Sequence, residues 1–243
     1  MKEDNKVVDY YDTIADQYDE SRFDNSYGQF IDYQERRILD QLIKHPADAK
    51  CLEMACGTGR LTCYATHALD ASLEMMKHAM ERHPDVDFCQ ASAAETGFEN
   101  ETFHTIYSFH LMMHLEPTLI KDIIAEAHRI LKPGGKFIFD IPSRQRRQLL
   151  HHKQESWHGG THLSKSEVLE MSSELFDLGR TCGIMMLPIH KLPTGLRKSM
   201  RKLDFALANS PIKQFSSYIV YELIKRWSVN QQRPCVNLYT QLL

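Results

Sequence analysis

Apolar and polar positions along the chain repeat with two periods, and segments of the two kinds alternate. Short runs of apolar, β-branched and aromatic residues between polar turns predict β-strands. These predicted strands cover residues 50–54, 66–70, 86–91, 103–109 and 136–141. Segments in which apolar residues recur every three or four positions predict amphipathic helices. These predicted helices cover residues 27–44, 72–82 and 117–131.

Strands that alternate with helices in this way form a parallel sheet with helical crossovers. The clearest helix, 117–131, is followed by Pro133-Gly134-Gly135. We expect this tripeptide to stop the helix, because proline cannot continue the helical hydrogen bonds and glycine adopts left-handed backbone readily. The sequence therefore predicts an α/β protein with a Rossmann-like, mostly parallel sheet flanked by helices.

The periodicity weakens after Pro142. A helix over 164–175 is predicted from Ser164 as its N-cap and Glu167 as the partner in a capping box. A strand within 176–187, a basic helix over 195–208 and a last strand over 216–224 follow. We expect an N-terminal helical cap over 1–45, a main domain over 46–227 with insertions at about 143–213, and a tail over 228–243.

Composition narrows the class of protein. The 243 residues are 42% hydrophobic and 25% charged, so a sizeable core can form. The net charge of -3 gives no electrostatic reason to expect a nucleic acid as the main partner. The six cysteines include no C-x-x-C pair, and no apolar run is long enough to span a bilayer. We expect a cytoplasmic protein with reduced thiols and no membrane span, and its oligomeric state stays open.

The segment LEMACGTGR, residues 52–60, carries the strongest chemical signal. An apolar strand is followed by a turn of small residues, in which Gly57 and Gly59 let the backbone approach a ligand closely. Thr62 stands where the dinucleotide fingerprint G-x-G-x-x-G has its third glycine. This difference favours S-adenosylmethionine (AdoMet) over NAD. A turn that binds no ligand could have the same short pattern. This segment alone therefore does not identify a cofactor site, and other segments of the chain are needed.

Four further segments accompany this motif in a characteristic order. They are YDTIADQYD at 11–19, LDAS at 69–72, the strand and loop at 103–115, and RILKPGG at 129–135. With them, residues 8–142 resemble class I AdoMet-dependent methyltransferases, particularly the quinone-biosynthesis-like branch. The resemblance implies the class I methyltransferase fold, AdoMet as the cofactor, and methyl transfer to an unidentified small-molecule acceptor.

The resemblance also implies a set of cofactor contacts. Glu53 would serve the methionine ammonium, Asp70 the two ribose hydroxyls, and Met75 the adenine. Asp70 could instead cap the next helix together with Ser72, and Met75 could be an ordinary core residue. The cofactor-binding residues that we predict are Tyr18, Glu53, Ala55, Cys56, Gly57, Thr58, Gly59, Asp70, Ala71, Met75, Ser92, Ala93, Ala94 and Ser108.

The sequence departs from the family pattern in three respects. Ala55 replaces the first glycine of the motif, and Ser92 replaces an acid that often contacts the adenine amine. Gly59 and Asp70 are only eleven residues apart in the sequence. We therefore expect a first crossover helix of one or two turns, shorter than a βαβ unit normally has.

Methyl transfer needs an acceptor lone pair aligned with the methyl group, and a group that removes a proton where the acceptor must lose one. His110 and His114 follow a predicted strand at its carboxyl end, where such folds bind ligands. We predict His114 as the general base, and His110 as a second catalytic candidate or as a residue that holds the cofactor or the loop. Either histidine could instead be structural. Tyr10, Tyr11 and Tyr18 could form a lid over the site.

Two groups of residues invite other interpretations. Four histidines could suggest a metal, but they lack acids at ligand spacing, and we expect a solvated loop and no metal; they are His151, His152, His158 and His162. Seven basic residues could suggest RNA, but without interleaved aromatics we expect solvated helix faces; they are Arg144, Arg146, Arg147, Arg197, Lys198, Arg201 and Lys202.

An RNA or protein methyltransferase, or an AdoMet-binding protein without catalysis, remains the alternative. We expect residues 143–213 to select the acceptor.

Overall fold

A computed structural model describes residues 2–44, 49–151 and 159–227, with residues 2–6 as backbone alone. The predicted tail at 228–243 lies outside the described residues, as do His152 and His158 of the histidine-containing loop.

A single seven-stranded sheet forms the centre of the described chain. Its strands are β1 (Cys51–Met54), β2 (His67–Asp70), β3 (Asp87–Gln90), β4 (Phe103–Ser108), β5 (Leu131–Pro142), β6 (Phe176–Ile184) and β7 (Tyr218–Lys225). Their order is β3-β2-β1-β4-β5-β7-β6. The first five strands are parallel to one another, whereas β7 runs antiparallel to both β5 and β6. The predicted mostly parallel sheet is confirmed.

Eight α-helices flank the sheet in the described residues. They are α1 (Lys2–Ile14), α2 (Tyr18–Arg22), α3 (Gly28–Leu42), α4 (Leu73–Arg82), α5 (Pro117–Ile130), α6 (Arg144–Leu149), α7 (Lys165–Ser172) and α8 (Thr194–Ala208). The predicted capping box is present: the Ser164 hydroxyl accepts from the Glu167 amide, and the Glu167 carboxylate accepts from the Ser164 amide.

Side chains alternate between the two faces of the sheet, and each face packs against its own pair of helices. On one face, Leu52 and Phe139 join a buried cluster with Ile123 of α5 and Val168 of α7. On the other face, a second cluster contains residues of α3 and α8, such as Phe30, Ile38 and Phe205. Packing on both faces holds the sheet rigidly. The strand ends, and the loops that start from them, are therefore held in defined positions.

The strand after α5 begins earlier than predicted. Helix α5 ends at Ile130, and β5 starts at Leu131, so Pro133-Gly134-Gly135 lies inside the strand and the prediction of a strand starting at Lys136 was wrong. The pairing of β5 with β4 shifts register across this tripeptide. A register shift lets the strand accept proline, which cannot donate to a regular ladder. Gly134 has φ +76°, a left-handed conformation that favours glycine.

The connection from β1 to β2 contains one turn of 3-10 helix, Thr62–Tyr64, and no α-helix. The prediction of a shortened crossover is therefore confirmed. Neighbouring elements hold the shortened connection through its backbone: Arg36 of α3 donates to the Arg60 carbonyl at 2.5 Å, and the Tyr107 hydroxyl donates to the Leu61 carbonyl at 2.9 Å.

Candidate functional site

A cavity of about 520 Å³ opens at the carboxyl ends of the parallel strands. It lies beside β1, β2 and β4, where the strand order reverses, which is the position at which open α/β sheets bind ligands. The loops after these strands form its floor, and α1 covers it with Val7, Val8 and Tyr11. The N-terminal segment therefore lies over the site in the described structure.

Ten of the predicted site residues line this cavity: Tyr18, Ala55, Gly57, Asp70, Ala71, Met75, Ser92, Ala93, His110 and His114. Glu53, Cys56 and Thr58 line an adjoining recess of about 50 Å³, which shares Ala55, Gly57 and His110 with the main cavity. Gly59, Ala94 and Ser108 are not among the residues that line either space.

Residues 55–59, which we call the glycine loop, have a left-handed backbone at three positions. Ala55, Gly57 and Gly59 have φ of +57°, +54° and +83°. Alanine thus occupies a conformation that normally favours glycine, which explains why the family pattern has glycine there. A Cβ atom on Gly59 would lie 2.8 Å from the Cα of Ala79, so Gly59 allows the loop to pack on α4. A Cβ on Gly57 would lie 3.3 Å from the Met75 methyl, at the cavity wall.

Asp70 holds the glycine loop through its half-buried carboxylate. One oxygen accepts from the Gly57 amide at 2.7 Å, and the other accepts from the Ser72 amide at 2.9 Å. The N-cap of α4 is Ser72, whose hydroxyl accepts from the Met75 amide at 3.1 Å. Burial raises the pKa of Asp70 above its ordinary value, while these amides act in the opposite direction. Asp70 therefore fixes the loop and also faces the cavity.

Glu53 is an acid whose protonation is set by burial. Its side chain is almost completely buried at the end of β1, and the Thr62 hydroxyl donates to its carboxyl group. Burial raises the pKa of Glu53 to about 8, although the Thr62 hydrogen bond and Arg60 oppose the shift. A carboxyl group in this state is neutral near pH 7 and gains its charge most easily when a cation enters the recess.

A buried network of charged groups surrounds His110. Its Nε2 lies 2.5 Å from a Glu35 oxygen, its Nδ1 lies 3.7 Å from Asp140, and its backbone amide donates to Asp140 at 2.7 Å. Arg60 contacts the other Glu35 oxygen at 2.6 Å and Asp32 at 2.7 Å. These contacts join α3, the glycine loop and the ends of β4 and β5 into one unit.

The same network fixes the charges of its members. Burial alone would raise the pKa of Glu35, but Arg60 and His110 lower it to about 2. Burial alone would lower the pKa of His110, but Glu35 and Asp140 together raise it above its ordinary value. Glu35 is therefore a carboxylate and His110 favours the imidazolium form, in which both ring nitrogens donate.

Sequence reasoning found no carboxylate to orient the histidines, and the structure supplies two. Glu35 is remote from His110 in sequence, so no local spacing reveals the pair. The sequence nevertheless contains a signal for each of the two carboxylates. Glu35 lies among the apolar core positions Ile31 and Ile38 of α3, and Asp140 interrupts the apolar strand β5. An acid at a core-facing position needs a buried partner.

His114 bridges the cap and a later loop. Its Nε2 lies 3.0 Å from the Tyr11 hydroxyl, and its Nδ1 accepts from the Gly159 amide at 3.0 Å. A neutral ring that accepts at Nδ1 carries its proton on Nε2. The two histidines do not lie on a regular α-helix, because His110 has φ +61° and residues 112–114 form a 3-10 turn. Both rings nevertheless reach the cavity.

A second cavity of about 210 Å³ adjoins the first. Four side chains line both cavities and separate them: Tyr11, Tyr18, His110 and His114. Three of its eight other lining residues are aromatic, namely Phe23 and Tyr27 of the N-terminal segment and Tyr218 of β7. Residues 143–213, from which we expected the acceptor selectivity, supply none of the described lining of this cavity.

Arg144, Arg146 and Arg147, three of the seven basic residues singled out in the sequence, have structural partners, so the expectation of solvated helix faces was wrong for them. Arg144 pairs with Glu167 at 2.8 Å, and Arg146 and Arg147 donate to backbone carbonyl groups. Within the described ranges no three His, Cys, Asp or Glu side chains are grouped as metal ligands. None of the described helices is both long and apolar enough to cross a membrane.

The glycine loop after β1, the acid that ends β2 and the cavity where the strand order reverses lie together at the carboxyl ends of the strands. A family model described as a methyltransferase domain matches residues 51–135, which confirms the predicted resemblance to methyltransferases.

Two curated relatives share the quinone-related branch that the motifs predicted. Demethylmenaquinone methyltransferase from Renibacterium salmoninarum is 33% identical over 144 residues, covering 56% of this chain and 59% of that protein. The enzyme of the same name from Paenarthrobacter aurescens is 31% identical over 144 residues, covering 56% and 55%. The chain thus matches less than two thirds of the length of each relative.

Solved structures of methyltransferases share the fold. A SAM-dependent methyltransferase from Thermotoga maritima, described as a possible histamine N-methyltransferase, has a TM-score of 0.68 and 16% identity, covering 90% of this chain and 99% of that one. Magnesium protoporphyrin IX methyltransferase from Synechocystis, solved with bound SAM, has a TM-score of 0.63 and 11% identity, covering 93% and 98%. The predicted class I fold is confirmed.

Proposed function

We propose that the protein is an AdoMet-dependent methyltransferase that acts on a small-molecule acceptor, and that it works in the cytoplasm. The observation that carries the proposal is the pair of adjoining cavities, which share Tyr11, Tyr18, His110 and His114. A methyl donor in the larger cavity and an acceptor in the smaller one would meet at these four side chains. Alignment across such a boundary is the main requirement of methyl transfer.

The residues of the larger cavity and its recess fit AdoMet. AdoMet, when bound, supplies a methyl group that its sulfonium already activates. Asp70 would accept from the ribose hydroxyls, and Met75 would pack against the adenine beside Ser92 and Ala93. Glu53 would face the ammonium from the recess. These assignments rest on the cavity lining and on a buried acid of raised pKa with room for a cation beside it.

His110 and His114 would play different parts. His110 is held by two carboxylates and favours a charge, so we assign it to holding the loop and the network in place. His114 remains our candidate for the base. In the described conformation the Gly159 amide occupies Nδ1 and Nε2 faces Tyr11. His114 could accept a proton only after the Gly159 contact opens; otherwise it positions the acceptor as a donor.

Titration with AdoMet tests the donor site. Gly57→Val should abolish binding by placing a side chain at the cavity wall, and Asp70→Ala should weaken binding by about 1.5–3 kcal/mol. Asp87→Ala, which removes an exposed carboxylate on β3, is the matched control and should bind normally. Normal AdoMet affinity in a folded Gly57→Val protein would refute the cofactor assignment.

Turnover to S-adenosylhomocysteine with a panel of small molecules tests catalysis and separates an enzyme from a protein that only binds AdoMet. His114→Asn keeps an oxygen that can accept from Gly159 but cannot take a proton. A base role predicts a loss of about 10²–10⁴-fold in kcat for both His114→Asn and His114→Ala. A positioning role predicts that asparagine restores much of the activity that alanine loses.

A further inference from the structure

Residues 159–162, which we call the docking segment, lie against the turn that carries His114. Thr161 donates to the carbonyl groups on either side of His114, with its amide at 3.0 Å and with its hydroxyl at 2.7 Å. The Gly159 amide donates to His114 Nδ1 at 3.0 Å. Three hydrogen bonds therefore join the docking segment to this turn, and one of them ends on a ring that lines both cavities.

Arg147 of α6 also binds the docking segment. Its Nη2 donates to the Gly159 carbonyl at 2.7 Å, and its Nη1 donates to the Gly160 carbonyl at 3.1 Å. The planar fork of a guanidinium group can bind two acceptors at once in a fixed geometry. Gly159 is thus bound through its carbonyl to Arg147 and through its amide to His114, so a single residue connects the arginine to the histidine.

The partners of Arg147 are unusual for a half-buried cation. A charge that is removed from water normally pairs with an opposite charge. In the described part of the chain Arg147 forms no ion pair with an acid. Besides the two carbonyl groups, its Nη1 lies 3.4 Å from His162 Nδ1, which also belongs to the docking segment. The Arg147 side chain therefore holds backbone in place and neutralises no acid.

The Gly159 amide distinguishes between the two neutral forms of the His114 ring. When the ring hydrogen is on Nε2, Nδ1 accepts from Gly159 and Nε2 donates to the Tyr11 hydroxyl, 3.0 Å away. When the ring hydrogen is on Nδ1, two N–H groups face each other at the position of this hydrogen bond. The tautomer of a histidine is set by the hydrogen bond that its other nitrogen makes. The position of the Gly159 amide therefore decides which form is stable.

We propose that Arg147 is a positioning residue that selects the Nε2–H tautomer of His114 by holding the Gly159 amide against Nδ1. The ring then presents a donor toward Tyr11 at the boundary between the two cavities. The selection of the tautomer stands on these contacts alone. Its use in methyl transfer rests on the proposed function, in which it makes His114 a donor in the described conformation.

Arg146, the preceding residue of α6, provides a matched control. It is half-buried like Arg147, and burial lowers the pKa of both guanidinium groups. It also donates to two carbonyl groups, those of Met186 and Phe215, at 2.7 and 2.8 Å. Neither carbonyl belongs to the docking segment. General damage to α6 should follow from the loss of either arginine, whereas a change at His114 should follow from the loss of Arg147 alone.

NMR spectroscopy of the full chain with ¹⁵N-labelled histidine tests the proposal. Long-range ¹H–¹⁵N spectra, recorded at about pH 8 where an ordinary histidine is neutral, distinguish a ring nitrogen that carries a hydrogen from one that does not. The signal that disappears in His114→Asn assigns His114. In the parent protein we expect Nδ1 without a hydrogen.

Arg147→Met keeps the apolar stem and removes the donors. It should lower the ratio of the Nε2–H to the Nδ1–H tautomer by about fivefold or more, which is the equivalent of the roughly 1 kcal/mol that one hydrogen bond contributes. Arg147→Lys can still donate to one carbonyl and should restore part of the ratio. Arg146→Met should leave the His114 signal as in the parent.

Gly159→Ala tests the same contact without changing Arg147. Its Cβ would lie 2.7 Å from the Met113 methyl, and φ +70° disfavours alanine, so the docking segment should move away from His114. The tautomer ratio should then fall as in Arg147→Met. Circular dichroism and the Tm of each variant report an intact fold.

Three outcomes would overturn the proposal. They are an unchanged His114 tautomer in folded Arg147→Met, an equal change in Arg146→Met, and, should Arg147→Met not fold, the parent's tautomer in Gly159→Ala. The absence of AdoMet binding would refute the methyl-transfer function alone, because the NMR measurement uses neither AdoMet nor an acceptor.

Discussion

Binding of AdoMet is expected to release a proton from Glu53. The acid is almost completely buried beside the recess of the donor cavity, and burial raises its pKa to about 8. At pH 6.5 about 97% of such a group is protonated. An ammonium placed beside it favours the carboxylate and would return the pKa toward 4.5, the ordinary value. Close to one proton should therefore leave Glu53 on binding.

The raised pKa of Glu53 also makes the affinity for AdoMet depend on pH. Ionising Glu53 at pH 6.5 costs about 2 kcal/mol, because each pKa unit corresponds to about 1.36 kcal/mol. The affinity for AdoMet should therefore rise about tenfold per pH unit as the pH increases from 6 toward 7.5. Glu53→Gln should bind with no such slope, since its amide stays neutral and its oxygen can still accept from Thr62.

Isothermal titration in two buffers with different ionisation enthalpies measures the proton count directly. The parent protein should release about 0.9 of a proton per AdoMet at pH 6.5, and Glu53→Gln close to none. Asp70→Asn serves as a comparison, because it removes another acid that lines the same cavity. Release of less than about 0.2 of a proton by the parent, or equal release by parent and Glu53→Gln, would refute the assignment of Glu53 to the ammonium.

Four further substitutions test the charged network around His110 and the glycine loop. Glu35→Gln should lower the free energy of unfolding at pH 7 by roughly 1.5–3 kcal/mol, because His110 and Arg60 each lose a charged partner but keep Asp140 and Asp32. Since the pKa of Glu35 is lowered from 4.5 to about 2, its contribution is present above pH 4.5 and is lost toward pH 2, so in urea unfolding the difference should shrink over that range; a constant difference would contradict the ion pairs. Gly59→Ala should destabilise the fold by roughly 2–5 kcal/mol through its contact with α4, whereas Gly57→Ala should mainly weaken AdoMet binding; equal effects of both on both measurements would contradict the separate roles. Ala55→Gly should keep AdoMet binding and raise stability by up to about 1 kcal/mol, because relief of the left-handed conformation exceeds the added freedom of the unfolded chain; a lower Tm would contradict this.

Most strands and helices could be predicted because local pattern and tertiary burial agree. The core-facing residues of α5 and the capping box of α7 belong to continuous segments. The start of β5 could not be predicted, because Pro133 and the glycines after it are typical of a turn. Only pairing with β4 across a register shift makes them part of a strand.

That Gly57 and Asp70 line one cavity could also be predicted, because both lie in short motifs at strand ends. The smaller cavity could not be predicted, because its walls come from segments distant in sequence. Tyr11 contacts His114, which is 103 residues away in the sequence, and Glu35 contacts His110, which is 75 residues away. Such contacts are set by how α1 and α3 pack on the sheet, and no spacing in the sequence encodes that packing.

The short connection between β1 and β2 also changes the electric field at the donor cavity. Peptide dipoles in an α-helix add along its axis to about half a positive charge at the N-terminus. One 3-10 turn, Thr62–Tyr64, aligns too few peptides to produce this field. A ligand carboxylate beside the glycine loop would therefore depend on short-range contacts, without long-range attraction from a helix. The protein should consequently tolerate changes at the negative end of its cofactor better than a fold with a full crossover helix.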